Sequence, residues 1–396
     1  MAKKKPEGLE DLSLALALAG HPGTLYKMDG PGRALTIGLM SGVHTYLMSS
    51  EPGEGKTTLA WRFLSHIDIP DDEKVFISGY RGAGEEQVIG YPSPAAIREG
   101  RMDYLPGKSA RSGKIVFIDE FDKMNRAAQE SVLQIAASRR FSRAGFDQLC
   151  PLEVLVGMGN AMPEERPVRD RFGLQLAIEQ LSTDEKLLLL EMGTDLDPPA
   201  ASISWETFLE ARGLMRDVKM PVPALKNLLG ELITRFELTN RRVRTQLMPA
   251  LRACAILNGR MMITLYEIQE IAPLICFHKD KISASLQNEL RQEIGERIAA
   301  IEAEMSKKKK VEDVAKVSRE LGEALQLAQN AGLDSYSELA DAMASAETLQ
   351  TIAGKLPAND GIRRQAEDLV NSAQTTLIKL FAARGIVKRK VNGQGA

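Results

Sequence analysis

The residues with the clearest chemical purpose are S-E-P-G-E-G-K-T, Ser50 to Thr57. They follow an apolar run of strand type, VHTYLMSS at 43–50, and open a helical pattern, TTLAWRFLSHI from Thr57. A loop at a helix start offers free N–H groups and the positive end of the helix dipole to a phosphate. Gly53 and Gly55 let the backbone curl closely around such a group. Lys56 is placed to contact the β and γ phosphates of a nucleotide, and the Thr57 hydroxyl to bind Mg²⁺. Ser50, Glu51, Pro52, Glu54 and Thr58 complete the candidate binding stretch. Ser50 departs from the usual pattern, which begins with glycine, but it is small. The plainer alternative is a glycine-rich turn before a helix.

A second group stands about 60 residues downstream, in KIVFIDE at 114–120. A core strand that ends in two acids calls for a task, since burying charge is costly. Asp119 is the candidate for the Mg²⁺ shell, directly or through water. Glu120 is the candidate general base that polarises an attacking water. Many strands end in one acid, so this motif gains its meaning from the phosphate loop before it. Together the two match the plan of a P-loop NTPase, with ATP and Mg²⁺ as the implied ligands. His21, His44, His66 and His278 are isolated and carry no metal-ligand spacing, so no zinc site is expected.

Something must hold these groups together. KVFISG at 74–79, KIVFIDE, EVLVGMGN at 153–160 and FGLQLA at 172–177 are further apolar runs of strand length. Continuous apolar runs suit strands buried on both faces of a parallel sheet. Strands alternating with helices predict a doubly wound α/β domain with five strands, ending near residue 180. From 181 to 280 helical patterns dominate, and Thr264 opens a capping box, T-L-Y-E. The long stretch at 79–113 is expected to be functional or to hold small elements of its own.

The span from about 30 to 280 resembles the MoxR-type AAA+ ATPases. The acids continue as DEFDKMNRAAQESVLQ, similar to that family's DEINR segment and the helix behind it. SRRFSRAG at 138–145 sits where the family carries a β-hairpin. The resemblance implies the sensor 1 role for Asn160, placing the attacking water near the γ-phosphate. It implies an arginine finger within V-R-D-R-F at 168–172: Arg171, with Arg166 and Arg169 as rivals. N-R-R-V at 240–243 implies sensor 2 at Arg242, in a helical lid, with Arg241 and Arg244 as neighbours. The pattern is closest to the RavA-like end of the family, whose lid carries a similar Arg-Arg pair. The stretch at 79–113 then corresponds to a helix-2 insertion facing a pore. The resemblance also implies a homo-oligomeric ring, a hexamer, that chaperones or remodels a protein complex, often with a von Willebrand factor A-domain partner.

Each role has a plainer reading. Asn160 could cap the strand, Arg171 could pair with acids of its own chain, and Arg139, Arg140 and Arg143 could be a solvated turn.

The rest of the chain bounds the answer. Its 396 residues suggest two or three domains, and 44% hydrophobic content supports a sizeable core. A net charge of -2 gives no chain-wide basic surface for nucleic acid. A nucleic-acid motor or loader of the same class is the first rival, and the near-neutral charge weighs against it; an ATP-dependent scaffold with little turnover is the second. Cys150, Cys254 and Cys276 form no CxxC pair and read as free thiols in a reducing cytosol. The N-terminal basic run and LSLALALAG read as an amphipathic helix behind a basic end, not a signal peptide. No run approaches a membrane span. Residues 281–396 carry three apolar stripes, at 282–305, 314–325 and 362–377. They predict a helical tail that recruits a partner and adds nothing to ATP chemistry. Lys307 to Lys310, Gly332 and the run near Pro357 are expected to break its helices and let the chain turn; Lys388 to Lys390 are expected to be solvated fringe.

Overall fold

The computed structural model describes residues 8–19, 25, 27–80, 85–101, 103–143, 146–192, 203–220, 223–275, 282–330, 337–356 and 360–383. The chain divides into two compact units, Met1–Gly295 and Glu296–Ala396.

In the first unit, helices α1 (Leu9–Ala19) and α2 (Asp29–Ser41) precede strand β1 (Thr45–Met48). Helix α3 (Lys56–Ser65) and β2 (Lys74–Ser78) follow. Then come β3 (Ile115–Asp119), α4 (Arg126–Ser138), β4 (Val154–Gly159) and β5 (Leu174–Ala177). The five strands form one parallel sheet in the order β5-β1-β4-β3-β2. Every residue of β4 and β5 is buried, as are four of the five in β3. A strand covered on both faces cannot alternate, which is why these runs are continuously apolar. Tyr46, Phe121 and Phe172 meet in the core below the strand ends, with Tyr46–Phe172 and Phe121–Phe172 centroids 5.1 and 5.3 Å apart. The fold is the expected α/β arrangement of a five-stranded parallel sheet, with helices following the sheet.

The stretch at 79–113 does hold small elements. Two antiparallel strands, Gly90–Pro92 and Tyr104–Pro106, flank a short helix, Pro94–Arg98. The hairpin is also present, with Arg140–Arg143 antiparallel to Phe146–Leu149. Its turn residues, 144–145, lie outside the described residues. Helix α4 starts where the Asn125 side chain accepts a hydrogen bond from the Ala128 N–H at 2.8 Å.

Helical elements then run from Thr183 onward, with one small strand, Ile203–Ser204, pairing beside Ile67–Asp68. Helix α5 (Met248–Leu257) is entered through a π-helical turn, Val243–Leu247. Pro249 lacks an N–H, so the regular ladder cannot continue through it, and the Met248 N–H bonds Val243 O five residues back. Helix α6 (Leu265–Ile275) begins with the capping box: the Glu267 carboxylate accepts from the Thr264 N–H at 2.7 Å. Arg33 of α2 bonds Glu270 of α6 at 3.1 Å and also Asn258, tying α2 to these helices.

Helix α7 (Ala284–Asn330) corrects one expectation. Lys307 to Lys310 do not break it; the helix runs through them. Lysine is a good helix former, no Gly or Pro interrupts there, and Lys308 pairs with Glu304 one turn back at 3.5 Å. Helices α8 (Ser337–Gly354) and α9 (Gly361–Ala383) follow. In the second unit, Val314 and Leu321 pack with Leu349 and Ala353 and with Ala366, Val370 and Ala373. Gly332, Pro357 and Lys388 to Lys390 lie outside the described residues, as do His21, Cys276 and His278. Cys150 and Cys254 are buried free thiols. Among the described residues, no helix is long and apolar enough to cross a membrane.

Candidate active site

The loop Ser50–Gly55 turns at the carboxyl end of β1. Gly53 and Gly55 take φ of 89° and 82°, a backbone that side chains with a Cβ rarely adopt. This conformation points the chain into α3, whose first residue is Lys56. The Lys56 ammonium is buried; it donates to Asn160 Oδ1 at 2.9 Å and to Ser49 Oγ. Burial lowers its pKa, while Asp119, Asp122, Glu54 and Glu120 oppose that shift. One helix residue later, the Thr57 hydroxyl donates to Asp119 Oδ2 at 2.6 Å. Groups from three separate stretches of the sequence, Lys56–Thr57, Asp119 and Asn160, thus converge at the ends of β1, β3 and β4.

Glu120 follows β3 in a left-handed conformation, φ 49°. A non-glycine residue held there costs on the order of 1–3 kcal/mol, and such strain concentrates at functional positions. Its N–H donates to Asp119 Oδ1 at 2.9 Å, which fixes the Asp119 carboxylate between Glu120 and Thr57. The Glu120 carboxylate forms an ion pair with Lys123.

Three supports escaped the sequence reading. Asp122 Oδ2 accepts from the N–H groups of Asn160 and Ala161 at 3.3 and 3.2 Å, holding the end of β4 against the strand that carries Asp119. Gly159 lies between the Tyr46 hydroxyl and Asp122, where any Cβ would collide with both. Gln180 donates to Ser50 Oγ at 2.8 Å, linking the chain after β5 to the phosphate loop. Asp122 sits inside the acidic segment already singled out, but its target is a backbone about 40 residues away, which no local pattern reveals.

The arginines separate by their partners. Arg166 pairs with Asp170 at 3.8 Å, and Arg169 is engaged as well. Among the described residues, the Arg171 guanidinium has no hydrogen bond or ion pair. Burial and nearby Arg241 lower its pKa against the pull of Asp170. Arg242 donates to Gln246 Oε1 at 3.1 Å and to Ile275 O at 3.0 Å, so its contacts include the helical elements and not only solvent. Gln246 in turn donates to Asp170 O at 2.9 Å, next to Arg171. On the hairpin, Arg140 pairs with Asp147 and Arg139 donates to Glu153 O at 3.1 Å, so both are tied within the chain.

Residues 46–172 match the family described as AAA domain (dynein-related subfamily). That span contains the phosphate loop, both acids, Asn160 and Arg171. It forms an AAA+ domain. A solved structure, a "putative ATPase" from Cytophaga hutchinsonii, is similar in fold with a TM-score of 0.53. The two share 18% identity over 74% of this chain and 96% of that one. An uncharacterised protein of Methanocaldococcus jannaschii is 24% identical over 242 residues, 56% of this chain. The match spans 59% of that relative's length.

The AAA+ site suits a nucleotide with Mg²⁺. A buried ammonium, a glycine cradle at a helix start and a hydroxyl paired to a carboxylate are the donor types that a triphosphate and a hard cation require. Among the described residues no cluster of His, Cys, Asp and Glu has the makings of a separate metal site.

Proposed function

We propose that this chain is a ring-forming, MoxR-like ATPase that couples ATP hydrolysis to remodelling or chaperoning a protein complex. The observation that carries the reading is the convergence of Lys56, Asn160, Thr57 and Asp119, with Glu120 beside them. Lys56 neutralises the β and γ phosphates, and the loop N–H groups of Glu51 to Gly55 hold their oxygens. Thr57 and Asp119 would hold Mg²⁺, which would offset phosphate charge. Glu120 takes the proton of the attacking water, and Asn160, already in contact with Lys56, orients that water. Releasing Glu120 from Lys123 accompanies this step. Arg171 serves a neighbouring subunit's site; among the described residues its guanidinium has no hydrogen bond or ion pair, which supports that role over a structural one. The helices between Thr183 and Ile275 act as the lid that brings Arg242 toward the nucleotide. The family resemblance also points to a von Willebrand factor A-domain partner and a ring of six.

The test compares two variants by nucleotide binding and by phosphate release. Lys56→Ala should lose ATP affinity. Glu120→Gln should bind ATP like the parent and hydrolyse it at least ~100-fold more slowly, the worth of a positioned general base. Normal hydrolysis by Glu120→Gln would remove Glu120 from the base role.

A further inference from the structure

The phosphate loop opens on a serine where the usual pattern has glycine. The nucleotide chemistry proposed above makes no use of that side chain, yet it has a partner. Ser50 Oγ accepts from Gln180 Nε2 at 2.8 Å. A glycine would offer no acceptor there. Both residues are exposed, so the bond is made at the surface and neither side chain fills the core.

Gln180 follows the end of β5, and that end is fixed on both sides. Toward the sheet, the Ile178 N–H donates to Met48 O at 2.7 Å, at the last residue of β1 before the loop. Outward, β5 is an edge strand, so its Gln175 O and Ala177 N–H have no neighbouring strand. Buried backbone groups left without a partner are costly. One side chain serves both. Gln287, in the first turn of α7, is 5% exposed. Its Oε1 accepts from the Ala177 N–H at 2.9 Å, and its Nε2 donates to Gln175 O at 2.6 Å. The amide thus takes the place of the next strand. Nε2 also donates to Pro273 O at 3.0 Å, in α6.

The phosphate loop is therefore held where it begins. The Ser49 N–H donates to Gly159 O at 3.2 Å, and Gln180 holds Ser50. The N–H groups assigned to the phosphates start at the next residue, Glu51. A loop that must order itself around a ligand loses conformational entropy on binding, and a contact that fixes it beforehand removes part of that cost.

We infer that Ser50 and Gln180 form a latch that presets the phosphate loop for its nucleotide, and that Gln287 anchors the strand end that carries the latch. Gln180 and Gln287 are positioning residues. The serine then has a purpose of its own, and a residue of the 281–396 stretch bears on ATP binding, which the sequence alone did not lead one to expect. The inference rests on the phosphate reading above and adds what sets the loop.

The experiment measures ATP affinity and the rate at saturating ATP in the full-length protein. Gln180→Ala should bind ATP ~3- to 10-fold more weakly, the worth of one hydrogen bond, and keep its saturating rate within about twofold. Ser50→Ala should weaken ATP by a similar factor. The double variant should be no weaker than the single ones, because both changes remove the same bond. Gln287→Met keeps the bulk and removes the amide; it should weaken ATP as well, and adding Gln180→Ala to it should cost less than in the parent. Thermal unfolding of each variant separates loss of fold from loss of the latch. The exposed pair decides the inference whether or not Gln287→Met folds. If Gln180→Ala and Ser50→Ala bind ATP like the parent, or if their losses multiply in the double variant, the latch does not set the loop and the inference falls. A folded Gln287→Met with full ATP affinity would remove α7 from it. Lys56→Ala is the control: unchanged ATP binding there would instead overturn the phosphate reading itself.

Discussion

Single side chains in this protein are held by partners that lie far away in sequence, and their protonation follows from that burial. His44 is an example outside the site. It is buried, its Nδ1 accepts from the Leu155 N–H at 3.1 Å, and its Nε2 faces Ala136 O at 3.1 Å. Because Nδ1 must accept, Nε2 carries the proton and donates to Ala136 O, so the neutral ring already uses both nitrogens. Burial pushes its pKa down from 6.5 to about 4; the Ala136 bond opposes this, and Arg139 and Arg171 add to it. The unfolded chain therefore binds the proton more readily between those values, and stability falls as pH drops from 6.5 toward 4. At pH 5 the loss from this ring should be on the order of 2 kcal/mol relative to pH 8. Urea unfolding at several pH values measures it. His44→Asn should be less stable at pH 8 yet show a shallower decline below pH 6.5. An unchanged slope would place the acid sensitivity elsewhere.

At the scale of elements, residue type and local neighbours decide continuity, while packing decides location. A run of four lysines reads as a break because like charges repel. Helix α7 nevertheless continues, since each lysine costs little backbone propensity and its charge is solvated. Replacing Lys307 to Lys310 with alanine should leave helicity by circular dichroism unchanged or slightly raised, because alanine is the better helix former. A marked loss of helix would show that the charges sustain this segment. The start of the same helix teaches the opposite lesson: Gln287 looks like any polar helix residue, yet it completes a sheet edge.

The working unit at the scale of the whole molecule is proposed to be a ring, with Arg171 acting across a subunit boundary. A finger supplied in this way contributes on the order of 10³-fold or more in rate. Arg171→Ala should therefore lose hydrolysis and keep nucleotide binding. Mixed with Lys56→Ala subunits, it should regain part of the activity, because some boundaries then join an intact finger to an intact phosphate site. Rings that have exchanged subunits and regain nothing would assign Arg171 to its own chain. Sedimentation with ATP provides the independent check, since a monomer at all concentrations excludes the ring.

Much of this was legible in the sequence for a local reason. The phosphate loop, the two acids after a core strand and the five apolar runs each report a short-range constraint: a φ that favours glycine, a strand buried on both faces, a helix start. Those constraints fix residue types at fixed spacing, so the α/β class could be read directly and Ser50 to Thr57, Asp119 and Glu120 marked as candidates. Tertiary structure alone decided the strand order, the meeting of Lys56 with Asn160, and the bracing of Asn160 by Asp122. It also decided that Gln287 serves β5 and that, among the described residues, Arg166 pairs with Asp170 while the Arg171 guanidinium has no such partner. These depend on which distant backbones come within about 3 Å of one another, and a hydrogen bond across a hundred residues imposes no periodicity on the chain that makes it.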